Sequence, residues 1–71
     1  MIERVEVYLE YPESLEGITR IESIAAFDVN GKKIKNIPDL VDNQEFRSEE
    51  EVTNSVSKKL VVSTDVITII E

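Results

Sequence analysis

Cysteine, histidine and tryptophan are absent from this 71-residue chain, and glycine and proline occur only twice each. Each absence closes a route. Without cysteine, neither disulfides nor thiolate metal ligation can supplement the core, and without histidine the usual zinc partner is missing too. Nucleophile-and-base pairs built on cysteine or histidine cannot be assembled, so catalysis would rest on carboxylates, lysines, tyrosines or hydroxyls, none of which stands in a motif. Two glycines provide no Gly-rich loop to cradle a phosphate. No cofactor, metal or catalytic residue is therefore expected. Long hydrophobic runs are also missing, and no stretch is long enough to span a bilayer. The opening residues Met1-Ile2-Glu3-Arg4-Val5-Glu6 are acidic and alternating rather than basic and then apolar, so the expected location is cytoplasmic.

Positive charge is scarce: eight Lys and Arg stand against 15 Asp and Glu, a net charge of −7. That balance repels phosphate backbones and anionic membrane surfaces, so direct nucleic-acid or membrane binding is not expected and basic partners are favoured. At this length the chain, residues 1–71, holds one core and reads as a single small domain.

Residues 2–11 alternate. Val5, Val7, Leu9 and Tyr11 fall on one face and Arg4, Glu6, Tyr8 and Glu10 on the other, the period of a half-buried strand. Pro12 to Gly17 reads as a connection in which Leu15 tucks onto the core. A second strand spans about residues 18–29, with Ile21, Ala25, Phe27 and Val29 on one face. Asn30-Gly31 supplies the positive φ angles of a two-residue hairpin turn, a register that sets Val29 opposite Lys32, Asp28 opposite Lys33 and Phe27 opposite Ile34. Pro38 closes the third strand.

The polar stretch 39–47 reads as a surface loop. Ser48 stands three residues before Glu51, the spacing of a helix capping box. Val52, Val56 and Leu60 recur every fourth residue, with Glu49 to Glu51 at one end and Lys58 and Lys59 at the other, as a helix dipole prefers. Phe46 is placed to brace the start. The same valines with Leu60 and Val62 are all even-numbered, which a strand would also allow; helix is preferred because capping and charge placement agree. Val66 to Ile70, apolar on both faces, reads as a central strand. The expected fold is α+β: a small, mostly antiparallel sheet of about four strands with one helix packed on one face, in the order β-β-β-α-β. An all-β meander or small barrel is the alternative.

Candidate sites are few. Asp39, Asp42 and Glu45 recur at intervals of three in the polar loop but lack flanking apolar residues to shift a pKa, and they lack the spacing of a calcium loop. Lys32, Lys33 and Lys35 read as the charged guard of a sheet edge. One helix covers one face of such a sheet, so Ile2, Tyr8, Ile24 and either Val66 or Ile70 are expected on the other, as partner contacts. The first functional reading is a small acidic non-enzymatic protein-interaction or regulatory module. Its partner is another protein or itself, with homodimerisation through the uncovered sheet face or strand addition at an edge. The alternative is an acidic inhibitor of a DNA- or RNA-handling protein, of the phage-encoded type, whose Asp42, Glu45, Glu49, Glu50 and Glu51 imitate phosphates.

Overall fold

The computed structural model describes residues 1–13, 16–37 and 44–70. They form four strands and one helix in chain order: β1 (Arg4–Glu10), β2 (Arg20–Phe27), β3 (Lys33–Ile34), α1 (Glu49–Leu60) and β4 (Ile67–Ile70). The sheet order is β3-β2-β1-β4. β1 pairs antiparallel with β2, and β2 with β3, whereas β4 runs parallel to β1. This is the α+β fold with the β-β-β-α-β order, in a mixed sheet. Leu15 and Pro38 lie outside the described residues.

The core is centred on β1. Val5 and Val7 are fully buried, and Leu9 nearly so, against Ile21 and Ala26 of β2 and Val52, Val56 and Leu60 of α1. β4 is an edge strand, contrary to the central position its apolar run suggests. Crossing back over the sheet through α1 lets the chain return parallel to β1 and join its free side. Ile67 and Ile69 then pack against the core, while Ile70 shares the register of Tyr8 on the opposite face.

Two one-residue irregularities reset the expected register. Tyr8 pairs with Ser23 but Leu9 pairs with Ile21, leaving Glu22 as the extra residue of a β-bulge. Past the bulge the alternation inverts. Ile24 and Ala26 turn inward opposite Val7 and Val5, and Ala25 and Phe27 turn outward, the reverse of their expected faces. The inversion puts Ile24 and Ala26 on the core side, where an unbroken strand would have placed Ser23, Ala25 and Phe27.

The hairpin is longer than the Asn-Gly pair suggests. Phe27 pairs with Lys33 and Ala26 with Ile34, and the backbone N–H of Asp28 donates to the Lys32 carbonyl at 2.9 Å, leaving Val29, Asn30 and Gly31 as a three-residue loop. The Asp28 carboxylate explains this choice: its Oδ1 accepts from the backbone N–H of Asn30 at 2.9 Å and of Lys32 at 3.0 Å, stitching the turn from within. Gly31, at φ +78°, takes the left-handed position that closes such a loop.

α1 forms for the reasons its sequence states. The Ser48 hydroxyl accepts from the Glu51 N–H at 3.2 Å, Glu49 to Glu51 occupy the first turn, and Lys58 and Lys59 the last. Phe46 is 3% exposed and exchanges two 2.8 Å backbone hydrogen bonds with Thr19, which pins the start of the helix to the beginning of β2. The helix ends at Val61, a β-branched residue in the left-handed conformation with φ 56° and ψ 54°. Its N–H and that of Val62 both donate to the Ser57 carbonyl, the 5→1 bond of a left-handed helix stop joined by the 6→1 bond of a Schellman motif, at a position glycine usually takes. A 3₁₀ turn at Thr64–Val66, capped by the Ser63 hydroxyl, leads into β4.

Candidate functional site

The face of the sheet turned away from α1 carries Arg4, Glu6 and Tyr8 of β1, Ala25 and Phe27 of β2, Lys33 of β3, and Thr68 and Ile70 of β4. Among the described residues no element lies over it. Pleating alone puts the even-numbered side chains of β1 here, and the bulge adds Phe27.

These side chains hold one another. The Arg4 guanidinium lies 4.3 Å from the centroid of the Phe27 ring, its cross-strand partner, and Arg4 Nε stands 3.4 Å from Glu6 Oε2. The Tyr8 hydroxyl donates to Glu6 Oε1 at 3.0 Å. Donation to that carboxylate, and then its negative charge, hold the Tyr8 phenol above its ordinary pKa. An exposed ion pair contributes roughly 0–1 kcal/mol and an exposed cation–π contact about 0.5–1 kcal/mol, too little to maintain the fold. Their effect is to fix the orientation of an arginine and two aromatic rings on an open surface.

The residues singled out as partner contacts separate. Tyr8 is on this face and 37% exposed. Ile24 is turned inward by the bulge, and Ile2 packs against the edge of the core. Ile2 lines a shallow apolar hollow with Met1, Leu60, Val61, Val62 and Val66 at the C-terminal end of α1. Of the two late candidates, Ile70 is on the open face and Val66 is not. Arg4 and Glu6 belong to the same period as Tyr8 and could have been named with it. Phe27 could not, because only the bulge brings it there.

Several acidic residues surround the start of α1. Glu49, Glu50 and Glu51 are exposed on the first turn of α1, and Glu45 is held by Arg20 at 3.1 Å. Glu13, Glu16 and Glu49 share the rim of an open cleft with Arg47. Asp42 lies outside the described residues. Among the described residues no three carboxylates converge closely enough to ligate a metal ion. Lys32, Lys33 and Lys35 are exposed along and beside β3 at one edge of the sheet. No helix of the described residues is long and apolar enough to cross a membrane.

Comparison with protein-family models, with curated proteins and with solved structures returned no match to this chain.

Proposed function

We propose that this chain is a non-enzymatic protein-contact module that binds its partner through the open sheet face. The observation that carries the reading is the Arg4, Phe27 and Tyr8 cluster, fixed by its own contacts and uncovered among the described residues. Arginine and aromatic side chains are the types over-represented at the energetic centres of interfaces, because they bring large contact area together with directed polar groups. Orienting them before binding reduces the ordering cost at contact. Glu6 within the cluster and Lys33 at its margin supply charges of both signs for register.

A photoreactive residue placed at position 8 tests this against one at Asn54, which is exposed on α1. The expected result is a cross-linked protein adduct from position 8 alone, suppressed by excess wild-type protein and not by Tyr8→Glu. Equal adducts from the two positions, or equal suppression by both competitors, would overturn the reading.

A second reading keeps one observation in its favour: the exposed Glu49, Glu50 and Glu51 stand together on the first turn of α1. As a phosphate-imitating surface they would bind a nucleic-acid-handling protein in a salt-sensitive way. Combined Glu49→Gln, Glu50→Gln and Glu51→Gln would then weaken that binding while leaving cross-linking from position 8 unchanged.

A further inference from the structure

The two edges of the sheet are unlike. β3 is two residues long and bordered by Lys32, Lys33 and Lys35, the charged protection that keeps an edge from recruiting foreign strands. β4 carries no charge within the strand: Ile67-Thr68-Ile69-Ile70 is free of proline and β-branched throughout, acidic residues occur in the sequence only beyond its ends at Asp65 and Glu71, and among the described residues it pairs with β1 alone. On a chain of net charge −7, this is a charge-free strand with one side of its backbone unpaired among the described residues.

We propose that β4 pairs antiparallel with β4 of a second copy, joining two sheets edge to edge into one of eight strands. The proposal goes beyond the protein-contact reading: it concerns the free edge of the sheet and leaves the open face available in both copies. The missing partner of an edge strand is an extended backbone, which sets the class of occupant. The side chains then choose among extended segments. Ile67 and Ile69 are partly buried on the α1 side, with β1 beside them and, among the described residues, no strand on their outer flank, so an added strand extends the core only if it brings apolar residues to that side. β4 itself meets this requirement.

A two-fold axis perpendicular to the sheet at Thr68 sets Ile67 of each copy opposite Ile69 of the other, and Thr68 opposite Thr68 on the open side. These are favourable cross-strand pairs, and both helices lie on the same face. A basic strand would find no carboxylate on Ile67–Ile70 to select it. The open faces of the two copies then run on as one surface, with two Arg4–Phe27–Tyr8 clusters facing the same way.

Sedimentation equilibrium of the full chain tests the pairing, alongside isotope-filtered NMR of a mixed labelled and unlabelled sample. The expected result is a species of twice the monomer mass, with contacts between the α protons of β4 in the two copies. Because each copy carries −7, the dimer should strengthen as salt screens their repulsion over about 10 Å at 0.1 M, the opposite of binding to a basic protein. Thr68→Lys should weaken dimerisation by at least about tenfold, since it sets two like charges opposite each other at the seam. Thr68 is exposed and in register with Glu6, so the introduced lysine gains an ion-pair partner and the monomer should melt normally.

A chain that stays monomeric at millimolar concentration in high salt overturns the inference, and cross-linking from position 8 then decides separately whether the contact reading stands. A dimer insensitive to Thr68→Lys but abolished by Tyr8→Glu also overturns it, while keeping the open face as the contact surface.

Discussion

Replacing Val61 by glycine should make this protein more stable, although it removes a side chain. Val61 sits at φ 56°, where an L-residue loses about 1–2 kcal/mol relative to the right-handed region and a β-branched one stands at the upper end of that range. Glycine escapes this cost, but its unfolded chain is more flexible, which takes back about 0.5–1 kcal/mol. Val61 is 88% exposed, so the burial lost is a small part of the roughly 1.5–3 kcal/mol that full burial would supply, about 0.2–0.3 kcal/mol. The balance favours Val61→Gly by about 0.5–1 kcal/mol, which in a domain of this size is a rise in Tm of about 3–6 °C. Urea unfolding followed by circular dichroism should show a higher midpoint with an unchanged slope. Val61→Asn, which tolerates the same conformation, should fall between the two. A lower midpoint for Val61→Gly would refute the reasoning, because it would mean that the valine side chain contributes more than its conformation costs.

The remaining expectations concern the helix, the open face and the bulge. Ser48→Ala should lower stability by about 1 kcal/mol in the same urea assay, through loss of the bond to the Glu51 N–H, and Ser48→Asp should restore it. Glu6→Gln should lower the pKa of Tyr8, read from its ring signals by NMR, since hydrogen bonding to the carboxylate is the leading cause of the rise. The sign follows: a raised phenol pKa stabilises the fold fully below the unfolded value, and this contribution is lost as pH climbs through the folded one, so wild-type stability should fall above about pH 10 by more than that of Glu6→Gln. Ile24→Glu should destabilise by roughly 2–4 kcal/mol, because the bulge turns position 24 towards the core, whereas Tyr8→Glu should leave the melting curve nearly unchanged. Comparable melting of the two variants would contradict the register.

Much of the fold was legible because local signals agreed with one another. Ser48, the acidic first turn, the Val52-Val56-Leu60 spacing and the terminal lysines all specify one helix, and the alternation of β1 specifies one strand. What was not legible depended on contacts between distant segments. Glu22 suits a strand in either phase, so nothing local marks it as extra; only the pairing of Ile21 with Leu9 and of Ile24 with Val7 does. The length of the hairpin loop was decided by the Asp28 carboxylate rather than by Asn30-Gly31. β4 looked central because both its faces are apolar, but in this small sheet an edge position still places Ile67 and Ile69 on the core and leaves Ile70 beside Tyr8. In the site, Tyr8 followed from simple alternation. Its neighbour Phe27 did not, since its face depends on a bulge four to five residues away.

The bulge and the longer hairpin loop have opposite effects on parity. Glu22 exchanges the inner and outer faces of the rest of β2, and the third loop residue exchanges them back, so Ile34 faces inward opposite Ala26 just as it would with neither irregularity. The two insertions therefore behave as a matched pair of frame shifts. Removing either alone would reverse the face of every residue between it and the end of β3, but removing both would disturb only the stretch between them. The length of this hairpin is thus tied to an even change, and the Arg4–Phe27 stack records on which side of the sheet the intervening segment was left.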